Sequence, residues 1–68
     1  KMSITLNGKN VDLQEGVNTV VQLLSYYHLE NRIVVIEVNK EIVMKENYKT
    51  MSLSHGDVVE IIHFVGGG

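Results

Sequence analysis

Met2, Ile4 and Leu6 alternate with Ser3 and Thr5, a period of two that turns every second side chain to one face of a strand. Asn7-Gly8 follows, and because both residues tolerate positive φ, the pair predicts a type I′ hairpin turn. Val11 and Leu13 then alternate with Asn10, Asp12 and Gln14, the pattern of a returning strand. Glu15-Gly16 breaks the alternation, and Val20, Leu23, Leu24 and Tyr27 recur at i, i+3, i+4 and i+7, one apolar stripe of a helix. Thr19 with Gln22 three residues on predicts a capping box at its start. The stripe is expected to pack on a sheet, and the helix to fade near His28-Leu29.

Ile33 to Ile36 form a continuous β-branched and apolar run that extends through Glu37-Val38. Such a run predicts an interior strand covered on both faces over part of its length. Asn39-Lys40 predicts a second tight turn, with Asn39 at positive φ, and Glu41-Ile42-Val43 a short return. Lys45 to Thr50 is polar apart from Tyr48 and reads as a loop with one helical turn, anchored to the core by Leu53. After a turn at His55-Gly56-Asp57, the last strand runs from Val58 to Val65. Val59, Ile61, His63 and Val65 share one of its faces, and Val58, Glu60, Ile62 and Phe64 the other. Both faces carry apolar residues. Either a loop covers the second face or an apolar surface is left for a partner, and its position beside the terminus favours the partner.

A hairpin, a helix laid across a mixed sheet and further strands make a β-grasp arrangement of the α+β class. A right-handed crossover from the second strand, through the helix, to the third is expected to make the sheet partly parallel. Residues 1–68 are expected to form one domain, with a mobile tail at about 65–68.

Composition narrows the function. The 68 residues include no cysteine, which removes disulfides, thiolate metal sites and a cysteine nucleophile. A formal charge of −2 supplies little attraction for nucleic acid or an anionic membrane, and neither is expected as a partner. No apolar run approaches the roughly 20 residues of a membrane span, and no leader pattern opens the sequence, so a cytoplasmic location is expected. His28, His55 and His63 fall on different elements without ligand spacing, so no metal site is expected. With no catalytic constellation in view, the chain reads as something acted upon.

The ending Phe64-Val65-Gly66-Gly67-Gly68 carries the candidate chemistry. Three glycines have no Cβ to meet enclosing walls, so this stretch can thread a narrow channel in another protein. At its tip is an α-carboxylate, ionised at neutral pH. A carboxylate is a poor electrophile until its oxygen is converted to a better leaving group.

Ile4-Thr5-Leu6-Asn7-Gly8-Lys9, Thr19-Val20-Val21-Gln22-Leu23-Leu24, Val38-Asn39-Lys40-Glu41-Ile42-Val43, Gly56-Asp57-Val58-Val59-Glu60-Ile61 and the glycine ending together resemble the ThiS family, ubiquitin-like sulfur carriers of thiamine biosynthesis. The resemblance covers essentially the whole length. It implies that an E1-like adenylating enzyme of the ThiF type activates the Gly68 carboxylate with ATP and magnesium, the chain itself binding no cofactor. A cysteine desulfurase or other sulfur donor then leads to a thiocarboxylate at Gly68, whose sulfur passes to a thiazole synthase of the ThiG type. Gly66 and Gly67 are expected to thread the partner, and Val58, Ile62, Phe64 and Val65 to dock against it, Phe64 with an equal claim to the core. Carriers serving molybdopterin or amino-acid sulfur transfer share this terminal chemistry, and a β-grasp interaction module without activation is the alternative from another class.

Overall fold

The computed structural model describes residues 2–64; Lys1 and residues 65–68, which hold the expected tail, lie outside the described part. Strands β1 (Ser3–Leu6) and β2 (Lys9–Asp12) form the first hairpin, with Ile4 opposite Val11. Its turn has Asn7 at φ 49° and Gly8 at φ 84°, the left-handed pair that the Asn-Gly dipeptide predicts. Helix α1 (Val20–Tyr26) comes next, then β3 (Val34–Val38), β4 (Glu41–Val43), a single 3₁₀ turn at Lys45–Asn47, and β5 (Val58–His63). The turn between β3 and β4 also uses two positive φ values, 52° at Asn39 and 70° at Lys40, without a glycine.

At seven residues α1 is too short to persist by its own backbone bonds. Its start is held from two sides. The capping box forms: Thr19 Oγ1 accepts from the Gln22 N–H at 3.3 Å, and Gln22 Oε1 accepts from the N–H groups of Thr19 at 3.0 Å and Asn18 at 2.8 Å. Two first-turn N–H groups donate outside the helix, Val20 to Met51 O at 3.0 Å and Val21 to Tyr48 O at 2.9 Å. The polar segment after β4 is thereby a brace for the helix N-terminus, and Leu53 behind it is buried as expected. The stripe buries Val20, Leu23 and Leu24, but Tyr27 is the C-cap residue, exposed and set edge-on to Tyr26 with ring centroids 5.1 Å apart. His28 follows at φ 60°, so the periodic pattern outlasts the helix that it predicts.

The five strands form one mixed sheet in the order β2-β1-β5-β3-β4. The parallel pair is β1 with β5; β3 runs antiparallel to both β5 and β4. The expected crossover from β2 to β3 therefore does not supply the parallel pairing, because β5 occupies the place between the hairpin and β3. Helix α1 covers one face, over Ile4, Ile36 and Val59, and no polar or charged side chain among the described residues is buried with them. Among the described residues no second layer lies on the opposite face, which corrects the expectation that β3 is covered on both faces over part of its length. Ile33, read as the start of that strand, lies just outside it and is 76% exposed. No helix among the described residues is long and apolar enough to cross a membrane.

Candidate functional site

Strand β5 is central in the sheet and leads directly into the terminal residues. Burial alternates from Val58 to Ile62, and His63 is exposed as well. Val59 and Ile61 point under the helix, whereas Val58, Ile62 and Phe64 are 41%, 48% and 54% exposed on the open side. Phe64 thus belongs to the surface and not to the core. The register extends the apolar surface across strands: Ile62 is opposite Val35, and the Phe64 N–H donates to Ile33 O at 3.2 Å. Ile42 adds a further exposed side chain from β4, opposite Glu37. Three of the four residues expected to dock, Val58, Ile62 and Phe64, come together on this face; Val65 lies outside the described residues, as do Gly66, Gly67 and Gly68.

Ile33 and Ile42 were missed as members of this surface. Ile33 looked like strand interior, and Ile42 like one side of a short hairpin, and only the register puts both beside β5. Two carboxylates interrupt the apolar surface, since Glu37 and Glu60 are directly opposite. With Lys40, Val58 and Ile62 they line a shallow open depression. Like charges opposed across a sheet are destabilising, so this pairing serves fold stability poorly.

The strand itself is held at its start and just past its middle by asparagines from the two left-handed turns. Asn39 Oδ1 accepts from the Val58 N–H at 2.9 Å, and Asn39 Nδ2 donates to Asp57 Oδ1 at 3.1 Å. Asn7 Oδ1 accepts from the Ile61 N–H at 2.7 Å, and Asn7 Nδ2 donates to Ile61 O at 3.2 Å. Asp57 also accepts from the Ser54 N–H at 2.8 Å, closing the turn before β5. These residues have a turn role that sequence reasoning finds; their grip on β5 is long-range and leaves no local signal.

The histidines do not converge. His28 ends the helix, His63 is on β5 towards the helix side, and His55 Nδ1 accepts from the Ser3 N–H at 3.0 Å. Among the described residues no group of three or more His, Cys, Asp or Glu could hold a metal ion. The site offers an exposed apolar face and a covalent lead into the terminus.

A model of the ThiS family matches residues 3–68. The sulfur carrier protein ThiS of Bacillus subtilis is 51% identical over 65 residues, covering 96% of this chain and 98% of that protein. A thiazole synthase of Paramagnetospirillum magneticum is 36% identical over 67 residues, which are 98% of this chain and 20% of that protein. Among solved structures, a thiamine biosynthesis protein (ThiS) from Geobacter metallireducens superposes with a TM-score of 0.81 at 32% identity, covering 98% of this chain and 100% of the other.

Proposed function

The chain belongs to the ThiS family, and we infer that it is a sulfur carrier of thiamine biosynthesis, a protein acted upon and not an enzyme. The observation that carries this reading is a match that runs through residue 68 and so takes in all three terminal glycines. The open face of β5 supports it, because an exposed apolar surface leading into the terminus suits a partner that must hold the body while it handles the tip.

The chemistry proposed is as follows. A Gly68 carboxylate oxygen attacks the α-phosphorus of ATP, bound with magnesium in an E1-like adenylating enzyme, and pyrophosphate leaves. The terminal sulfur of a persulfide, on a cysteine desulfurase or another donor, attacks the acyl carbon; AMP leaves and an acyl disulfide forms. A second thiol cleaves the sulfur–sulfur bond, which leaves a thiocarboxylate on Gly68 and a disulfide on the thiol side. Thiazole synthase is the proposed acceptor, and the resemblance of this chain to about a fifth of one such enzyme, 20% of its length, supports the pairing. The absence of cysteine from the sequence keeps persulfide sulfur from being diverted onto the carrier itself.

Intact-mass measurement tests the reading. The chain incubated with ATP, the adenylating enzyme and a sulfur donor should gain the mass of one oxygen-to-sulfur exchange, mapped to Gly68. A terminus that stays unmodified under those conditions refutes it. Gly67→Val should fold normally and fail to become adenylated, since a β-branched side chain would have to enter the channel that admits the glycines.

A further inference from the structure

The pairing of β1 with β5 stops earlier than β5 does. Thr5 is opposite Val58 and Leu6 opposite Val59, after which the chain turns away at Asn7 and Gly8. In a continuing parallel ladder the Asn7 N–H would donate to Val59, the Asn7 carbonyl would accept from Ile61, and the N–H two residues further on would donate to the Ile61 carbonyl. The first of these bonds is present, at 2.9 Å. The other two are replaced by one side chain: Asn7 Oδ1 takes the Ile61 N–H at 2.7 Å, and Asn7 Nδ2 takes the Ile61 carbonyl at 3.2 Å. The amide of Asn7 thus stands in for the peptide group that the turn has removed. Ile61 is thereby the last β5 residue, among those described, whose backbone is bonded on the β1 edge. Among the described residues, His63 and Phe64 are tied on the β3 side alone, through the pairing with Val34 and the Phe64 bond to Ile33.

We propose that Asn7 is the positioning residue of the terminal strand: by fixing Ile61 from the β1 side, its amide sets the direction in which the chain beyond Phe64 leaves the sheet. It touches no reacting atom and acts through the β5 backbone. Turn formation does not require this amide, because glycine adopts φ near 49° at least as readily as asparagine. The expected consequence for activation rests on the sulfur-carrier reading; the consequence for strand direction does not.

The test uses the full chain with Asn7→Gly, which keeps the turn and removes both bonds, and Asn7→Asp, which keeps the acceptor and sets a second oxygen against the Ile61 carbonyl. Thr19→Ala, which weakens the helix cap away from the open face, controls for lost stability. Amide exchange at Ile61 and residual dipolar couplings of His63 and Phe64 read the strand. KM and kcat for the carrier in ATP–pyrophosphate exchange read presentation of the terminus. Asn7→Gly should speed exchange at Ile61 and alter the couplings of His63 and Phe64. It should also raise KM roughly fivefold, the equivalent of one ordinary hydrogen bond, with kcat unchanged. Asn7→Asp should move each reading in the same direction, and Thr19→Ala should move neither the couplings nor KM. The proposal is overturned if Asn7→Gly matches Thr19→Ala in couplings and KM, or if the couplings change while KM does not. A wild-type chain that supports no exchange at all would refute the sulfur-carrier reading, and the couplings would still decide whether Asn7 directs the strand.

Discussion

The two faces of the sheet are drawn from the same residue types and have opposite surroundings. Under the helix, Val59 and Ile36 are wholly buried; on the other side, Val58 and Ile62 remain about half exposed although they are neighbours of the same kind in the same strands. Burial of the first pair contributes to folding in proportion to the apolar area removed from water. The second pair contributes far less to the isolated chain, and retains most of that driving force for an encounter with another molecule. Among the described residues no charged side chain is buried under the helix, whereas the middle of the open face carries the opposed Glu37 and Glu60. One face is composed for stability, and the other is left open for the contact proposed above.

The sharpest way to break this contrast is to place the same group at adjacent positions. Val59→Asp buries an unpaired carboxylate and should cost more than about 4 kcal/mol, enough to unfold a domain of this size; urea titration followed by circular dichroism would read it. Val58→Asp should cost about 1 kcal/mol and leave a folded chain that the proposed adenylating enzyme activates poorly. Equal stability loss at the two sites would mean that the faces do not differ as described. Leu23→Ala, on the covered side, should lower unfolding free energy by about 3 kcal/mol, whereas Ile62→Ala should change it by less than about 1 kcal/mol and mainly raise KM in activation. Thr19→Ala, which removes the cap from the covering layer, should cost about 1 kcal/mol without affecting KM. The smallest effect expected is on the open face: Glu37→Lys opposite Glu60 should gain about 0.5 kcal/mol, a gain that high salt removes.

Much of this contrast is written in short-range patterns. Alternation in residues 58–64 specifies which side chains share a face, and Asn7-Gly8, Asn39-Lys40 and the Thr19–Gln22 box specify where elements begin and end. These readings succeed because their causes lie within a few bonds of backbone. What the alternation does not specify is which face is covered, for that depends on where α1 comes to rest. Nor does it place β5 between β1 and β3, since that insertion joins residues more than fifty positions apart, as with Asn7 and Ile61. A shorter but still long-range separation hides the setting of Ile33: its β-branched context looks like interior strand until Phe64 is found beside it. Tyr27 shows the converse limit, a residue with correct helical spacing that falls one position past the helix.

The central place of β5 has a mechanical consequence. Any partner that grips the residues after Phe64 and pulls along the strand pulls on hydrogen bonds that lie across the direction of force, to β3 along one edge and to β1 and Asn7 along the other. Such bonds resist together in shear along two edges, whereas a strand at the sheet's margin would have bonds along one edge alone. Under the proposed function, a pull on the terminus by an enzyme would thus be shared by both neighbours of the strand.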